Sequence, residues 1–406
     1  MPALLAPLRG MGRERLVFLS LVTGGHTAIH WFQTMFAVVL PSVTQGLGLN
    51  EIQTGYLQSA RQLTSGTMNL PAGILADSYA RLRAVILASA LLFMGVGYFC
   101  FAAASGLGGA VIGAALIGLG TAAWHPPAMG ALSARFPERR ATALSIHGMG
   151  ATISDTLTPL GVGALLVVVF WRDFLHAQLL TGIAAALLVW LGLARQFAQP
   201  TARPSGRSLA GDVRTILVNP AFLAVSLADG LMSMARQVIL TFFPLYIQIG
   251  LGREAFELGV YVALLHGMGT LSQPVLGILA DRVGRKAVLV PSFLLLSAFY
   301  LLLGRVAPGW PLGLLVLAIG MFFYTLVNIT SAAVLDVAGP RMQASATGLS
   351  TAVTQLIVLP SPVLAGWLVQ RFGYVAAFFL AAGFMAVGVL VMLPVRLYRG
   401  ADPLPS

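Results

Sequence analysis

A window of about 20 residues moved along the chain finds twelve stretches apolar enough to cross bilayer hydrocarbon as helices. They run at approximately 16–44, 51–76, 83–104, 109–135, 141–171, 175–195, 216–248, 254–280, 287–306, 312–338, 342–370 and 374–397. In hydrocarbon every backbone N–H and C=O must be paired within the protein, so a chain built of such runs has one solution, the helical bundle. The fold class predicted is therefore an all-α polytopic membrane protein of twelve transmembrane helices. Composition agrees: 58% of the 406 residues are hydrophobic and 9% charged, with mean hydropathy +0.87, against about 25% charged residues in soluble domains. The first run is long, lacks a small-residue cleavage site and holds two histidines, which predicts a retained helix and not a signal peptide. The single Cys100 excludes an internal disulfide and a cysteine metal site.

The charges that remain sort by loop. With a cytoplasmic N-terminus, eighteen of the 24 basic residues fall on one face, four (Arg172, Arg253, Arg305, Arg371) on the other, and Arg61 and Arg236 lie inside spans. This asymmetry predicts both termini in the cytoplasm, the arrangement expected in a bacterial inner membrane. It also explains the net charge of +11 without a basic face, so nucleic acid is not an expected partner.

GILADSYARLR at 73–83 recurs as GILADRVGRKA at 277–287, an offset of 204 residues. Each copy closes the second span of its half. The only long polar stretch, 196–215, is rich in Pro, Ser, Gly and Arg. The predicted organisation is an N-terminal six-helix bundle (1–195), a cytoplasmic linker (196–215) and a pseudo-symmetric C-terminal six-helix bundle (216–406). No Walker lysine loop and no insertion large enough for a soluble domain are present, so neither an ATPase nor an enzyme is expected.

Two parallel six-span repeats, each with a G-x-x-x-D-x-x-G-R-K type loop after its second span, resemble the major facilitator superfamily. The match is close in GILADRVGRK; in GILADSYARLR, Ala80 stands where Gly is usual. The resemblance implies alternating access, with Asp77, Arg81 and Arg83 in one half and Asp281, Arg285 and Lys286 in the other as gate residues. A local ion pair in a positive-inside loop is the plainer alternative. The segments HTAIHWFQ (26–33), GLGTAAWHPPAMG (118–130) and RRATALSIHGMGATISDTLTPLG (139–161) are similar to the fosmidomycin-resistance branch of that superfamily. Members of that branch carry an acid four positions after the first-span His; here that position is His30.

Five of six histidines lie inside apolar runs: His26, His30, His125, His147 and His266. An ionisable group at membrane depth costs at least about 2.5 kcal/mol, so it marks a lined cavity or proton path by default. His26 and His30 are i and i+4, on one helical face, with Gln33 continuing the stripe. Imidazole titrates near neutrality, which suits proton coupling. The same spacing suits a divalent metal, and helix-to-helix hydrogen bonding is the third alternative. On the second span Gln58, Arg61, Ser65 and Asn69 form a polar stripe. Arg61 cannot hide by deprotonating, and its five donors match carboxylate, phosphate or phosphonate groups; a permanent ion pair is its structural alternative. Asp229 and Arg236 share a face of the seventh span. His125 precedes Pro126 and Pro127 and could cap a kink or gate. On the fifth span Asp155 lies two turns from His147 and about 80° around the axis, and needs Arg61 or a histidine as partner. His266 corresponds by the repeat to Gln62. The aromatic residues Trp31, Phe323 and Tyr324 are among those that line a pocket or simply pack.

These residues predict a secondary active transporter, a monomer with no cofactor beyond the proton gradient, that exports small anionic organic compounds or drugs in antiport with protons. Alternatives left open are a divalent metal exporter using His26 and His30, and a metabolite uptake symporter.

Overall fold

A computed structural model of the chain describes residues 12–197, 218–338, 343–395 and 397. Fourteen helices longer than eight residues account for most of them: α1 Arg13–Gly46, α2 Glu51–Ser78, α3 Arg83–Ala103, α4 Leu107–Arg135, α5 Arg140–Val168, α6 Trp171–Leu193, α7 Pro220–Leu245, α8 Ala255–Val283, α9 Arg285–Leu303, α10 Trp310–Phe323, α11 Thr325–Ala338, α12 Gln343–Val358, α13 Ser361–Phe372 and α14 Val375–Met392. No strand occurs among the described residues. Among the described residues, ten stretches are long and apolar enough to cross a membrane. The first two helices have spanning length, 34 and 28 residues, but the histidines of α1 and the polar stripe of α2 lower their hydropathy. The 196–215 linker falls almost wholly outside the described residues.

Two predicted spans are each divided. The stretch 312–338 breaks at Tyr324, between α10 and α11. There the Met321 carbonyl, which a continuous helix would reserve for Thr325 N–H, accepts from Ser272 Oγ of α8 at 2.6 Å and Thr325 Oγ1 at 3.2 Å. Hydroxyls inserted into the ladder are a recognised cause of a helix break. The stretch 342–370 breaks where Pro360 caps α13, because proline cannot donate to the preceding turn.

Contacts gather the chain into two compact units, Met1–Leu49 with Ala60–Ser205 and Asn50–Ser59 with Gly206–Ser406. In the first, α3 packs between α4 and α6, and α1 lies along α5. Lipid tails are as apolar as leucine, so helices associate through close packing of small residues and hydrogen bonds. A Cβ on Gly95 of α3 would lie 2.9 Å from the Gln178 carbonyl of α6, and one on Gly118 of α4 only 2.1 Å from the Arg61 carbonyl of α2. In the second unit α14 packs between α7 and α9, and α7 also meets α11 and α12. The side chains of Gln58 and Ser59, at the start of α2, bond there to Gln237 Oε1 (2.7 Å) and the Leu359 carbonyl (2.8 Å).

Candidate functional site

Two glycines let α1 approach its neighbours in the first unit. A Cβ on Gly25 would meet the Trp124 ring of α4 at 2.1 Å, and one on Gly150 of α5 would meet Thr27 Oγ1 at 2.7 Å and the Thr23 carbonyl at 2.9 Å. The close approach brings four histidines from three helices together. The His26 and His147 rings stack, with centroids 3.8 Å apart and planes 7° from parallel. Edge-on contacts join His26 to His30 at 4.6 Å and to His125 at 5.3 Å, and His30 to His125 at 5.8 Å.

Hydrogen bonds fix the tautomers of three rings. His26 Nδ1 lies 2.9 Å from the His147 carbonyl, and His125 Nδ1 lies 3.0 Å from the Thr121 carbonyl. A carbonyl only accepts, so each Nδ1 carries the proton. His30 Nδ1 lies 2.9 Å from Asp155 Oδ1, which also accepts from Thr34 Oγ1. Pro126 and Pro127 free the carbonyls of Ala122 and Ala123 within an unbroken α4, yet His125 bonds the Thr121 carbonyl one residue earlier, so its imidazole caps neither freed carbonyl and stays on the cluster. Neither ring nitrogen of His147 makes a hydrogen bond of ordinary geometry among the described residues. Arg61 lies over the Phe36 ring at 4.8 Å, with Nη2 at 3.5 Å from the Gln33 carbonyl. The Gln33 amide nitrogen is buried without a partner. Asn69 is half-buried further along α2.

The second unit holds a separate cluster. Asp229 accepts from Thr330 Oγ1 of α11 at 2.7 Å and Thr354 Oγ1 of α12 at 2.8 Å. Further along α7, the Arg236 guanidinium sits 5.1 Å from the Phe323 centroid and 4.8 Å from that of Tyr324. No carboxylate pairs with it among the described residues, and its Nε is buried without a partner. His266 is satisfied locally, its Nε2 3.2 Å from the Tyr324 hydroxyl. Tyr300 of α9 is fully buried, its hydroxyl unpartnered, within electrostatic reach of Arg236.

Of the predicted gate residues, Arg285 pairs with Asp281 and, at 3.4 Å, with Asp336 of α11. Lys286 Nζ donates to the Leu393 and Val395 carbonyls beyond α14. Buried Arg83 donates from Nε to the Ala76 carbonyl at 2.8 Å, while Arg81 is exposed. The Asp77 side chain lies outside the described residues.

Sequence reasoning missed Thr34, Thr330, Thr354, Tyr300 and Asp336. Thr34 continues the i, i+4 stripe of His26 and His30, which is a usable signal. The threonines around Asp229 give none, because they reach it from other helices.

The profile of the Major Facilitator Superfamily matches residues 22–271 and 268–405. The chain is 23% identical over 316 residues to the fosmidomycin resistance protein of Escherichia coli K12, covering 76% of this chain and 75% of that one. It is 23% identical over 387 residues to the probable sulfoacetate transporter SauU of Cupriavidus necator, covering 88% of each. Among solved structures, a point mutant of the nucleoside transporter NupG superposes with a TM-score of 0.76 at 15% identity over 93% of this chain and 99% of that one. With the helical spans and the paired loops, these matches make the chain a member of the major facilitator superfamily, a membrane transporter and not an enzyme.

Proposed function

We propose that the chain is a proton-driven antiporter that exports small organic anions by alternating access. The observation that carries this reading is Arg236. A guanidinium at the centre of a membrane helix costs about 2.5–3.5 kcal/mol on insertion scales. Two aromatic faces return about 0.5–2 kcal/mol each, which offsets the charge but satisfies no N–H. Arg236 Nε and the Tyr300 hydroxyl are thus two buried donors without an acceptor. An anionic cargo supplies what both lack.

Asp229 supports the proton half. Its carboxylate is held by two hydroxyls and no cation among the described residues, so a proton can join or leave it without breaking an ion pair. Arg61 offers a second interior guanidinium for cargo. The relatives named for fosmidomycin, a phosphonate, and sulfoacetate, a sulfonate, support an anionic class; the resistance protein supports export over uptake. On this reading the protein works as a monomer in a bacterial inner membrane, with both termini cytoplasmic and without a cofactor.

The test is flux in proteoliposomes under an imposed pH gradient, with phosphonates, sulfonates, carboxylates and neutral analogues offered separately. Anions should accumulate against their gradient and neutral analogues should not. Arg236→Gln removes charged hydrogen bonds each worth about 1.5–3 kcal/mol, so apparent affinity should fall roughly 10- to 100-fold. Asp229→Asn should retain anion exchange while losing gradient-driven accumulation. Wild-type flux in Arg236→Gln, or equal transport of neutral analogues, refutes the reading.

A further inference from the structure

We infer that His26, His30 and His125 form a binding site for a late first-row divalent metal ion, with Zn²⁺ as its representative. This is distinct from the anion and proton chemistry assigned to Arg236 and Asp229. One nitrogen from each of the three rings lies within 4.8 Å of the others. More telling is how the second nitrogen of each ring is used. All three Nδ1–H groups are committed to oxygen acceptors: the His147 carbonyl, Asp155 Oδ1 and the Thr121 carbonyl. In the neutral tautomer that leaves every Nε2 with a lone pair and no proton. Metal-ligating histidines almost always donate their other N–H to a carboxylate or a carbonyl, which fixes tautomer and ring orientation and raises ligand basicity. Here that outer layer is complete for all three rings.

The Nε2 atoms have no other employment. That of His26, a residue buried at 6% exposure, has no hydrogen-bond partner, and none is made by Nε2 of His30 or His125 among the described residues. His266, by contrast, places its Nε2 against the Tyr324 hydroxyl at 3.2 Å. Leaving a buried acceptor unpaired costs about 1–3 kcal/mol, which a bound cation removes.

Imidazole donors suit zinc, copper and nickel, and disfavour magnesium and calcium, which take oxygen. Tetrahedral coordination at about 2.1 Å sets neighbouring nitrogens about 3.4 Å apart. Ring nitrogens of the three histidines that already lie within 4.8 Å of one another fall short of that spacing by roughly 1.4 Å at most, within reach of side-chain rotation. Three protein ligands leave a fourth position open, as in sites where metal exchanges or binds a further ligand and unlike closed structural sites. The Asp155 carboxylate behind His30 supplies one compensating negative charge.

The test uses tag-free full-length protein in detergent and equilibrium dialysis against Zn²⁺, with Mg²⁺ as the oxygen-seeking control. One equivalent of Zn²⁺ should bind. His26→Ala, His30→Ala and His125→Ala should each weaken binding at least 100-fold, while His176→Ala, on the exposed face of α6, should not change it. Asp155→Asn retains the side-chain shape and should weaken binding about 10- to 100-fold. Co²⁺ loaded in place of Zn²⁺ should give the visible absorption of a tetrahedral nitrogen site, lost in the three histidine variants. Absence of saturable Zn²⁺ binding overturns the inference, as does wild-type binding by folded His26→Ala or His125→Ala. Binding is read without transport, so these results stand apart from the fate of the anion-flux reading.

Discussion

Gly118 sits where α4 crosses α2, directly behind Arg61. A methyl group added there would lie 2.1 Å from both the Arg61 carbonyl and Thr64 Oγ1. The carbonyl is backbone and cannot rotate away, so restoring an ordinary contact of about 3.4 Å requires the two helices to part by about 1.3 Å at this crossing. Overpacking of this kind costs about 1–3 kcal/mol. The substitution also gains roughly 1 kcal/mol of helix propensity over glycine, which would mask part of the effect. Gly383→Ala in α14 isolates the packing contribution, because a Cβ there meets nothing within 4 Å. The propensity gain is common to both variants, so the difference between them is the 1–3 kcal/mol of overpacking. At about 2–4 °C per kcal/mol for a unit of this size, Gly118→Ala should melt roughly 2–12 °C below Gly383→Ala. Tryptophan fluorescence on heating in detergent measures the gap. The same shift displaces the Arg61 guanidinium by about 1 Å, a misplacement that can lower rate about 100-fold where geometry is tight, so anion flux should fall well below that of the control. Equal melting and equal flux in the two variants would refute the close-packing account of how Arg61 is placed.

Thr34→Val removes one of the donors to Asp155 at nearly constant volume; loss of a hydrogen bond to a charged group should lower stability by about 1.5–3 kcal/mol, and an unchanged melting temperature would show that the contact contributes nothing. At the start of α1, Arg15 pairs with Glu138 in the loop before α5. Its own backbone amide first, and then the Arg15 guanidinium, hold the Glu138 carboxyl below the usual carboxylate range. A lowered folded pKa gives a contribution that is present above the unfolded value of about 4.3 and lost as pH falls through the folded one. Glu138→Gln should therefore be less stable than wild type near neutrality and converge with it in acid, as melting curves from pH 7 to about pH 3 would show.

The helical class was legible because bilayer length and backbone pairing leave no other choice. The i, i+4 relation of His26 and His30 was likewise legible, and their rings do meet at 4.6 Å. Which other histidines join them was not, because His147 comes from 121 residues away, and its approach depends on Gly25 and Gly150. The threonines were illegible for another reason. Most in these helices bond the carbonyl one turn back, as Thr27, Thr152, Thr156 and Thr241 do. Nothing in sequence separates them from Thr354, which reaches Asp229 across 125 positions. The breaks at Tyr324 and Pro360 differ in the same way. Pro360 announces itself, whereas the break at Tyr324 depends on Ser272 of another helix inserting its hydroxyl.

The two clusters leave different groups over. In the histidine cluster of the first unit, the three Nδ1–H groups and the Thr34 hydroxyl all have acceptors, and the Nε2 lone pairs of the neutral rings remain over. In the Asp229 and Arg236 region of the second, both Asp229 oxygens are taken, and the Nε–H of Arg236 and the Tyr300 hydroxyl remain over. Lone pairs left over at membrane depth select a cation, and N–H and O–H groups left over select an anion, since each restores the pairing that hydrocarbon cannot supply. A cation in the first unit and an anion in the second influence one another only if each binds one conformation of the transporter better than another. Linkage then makes the effect reciprocal: whatever factor Zn²⁺ imposes on anion affinity, the anion imposes on Zn²⁺ affinity. If the two ions prefer different conformations, the same reciprocity turns each into an inhibitor of the other's binding.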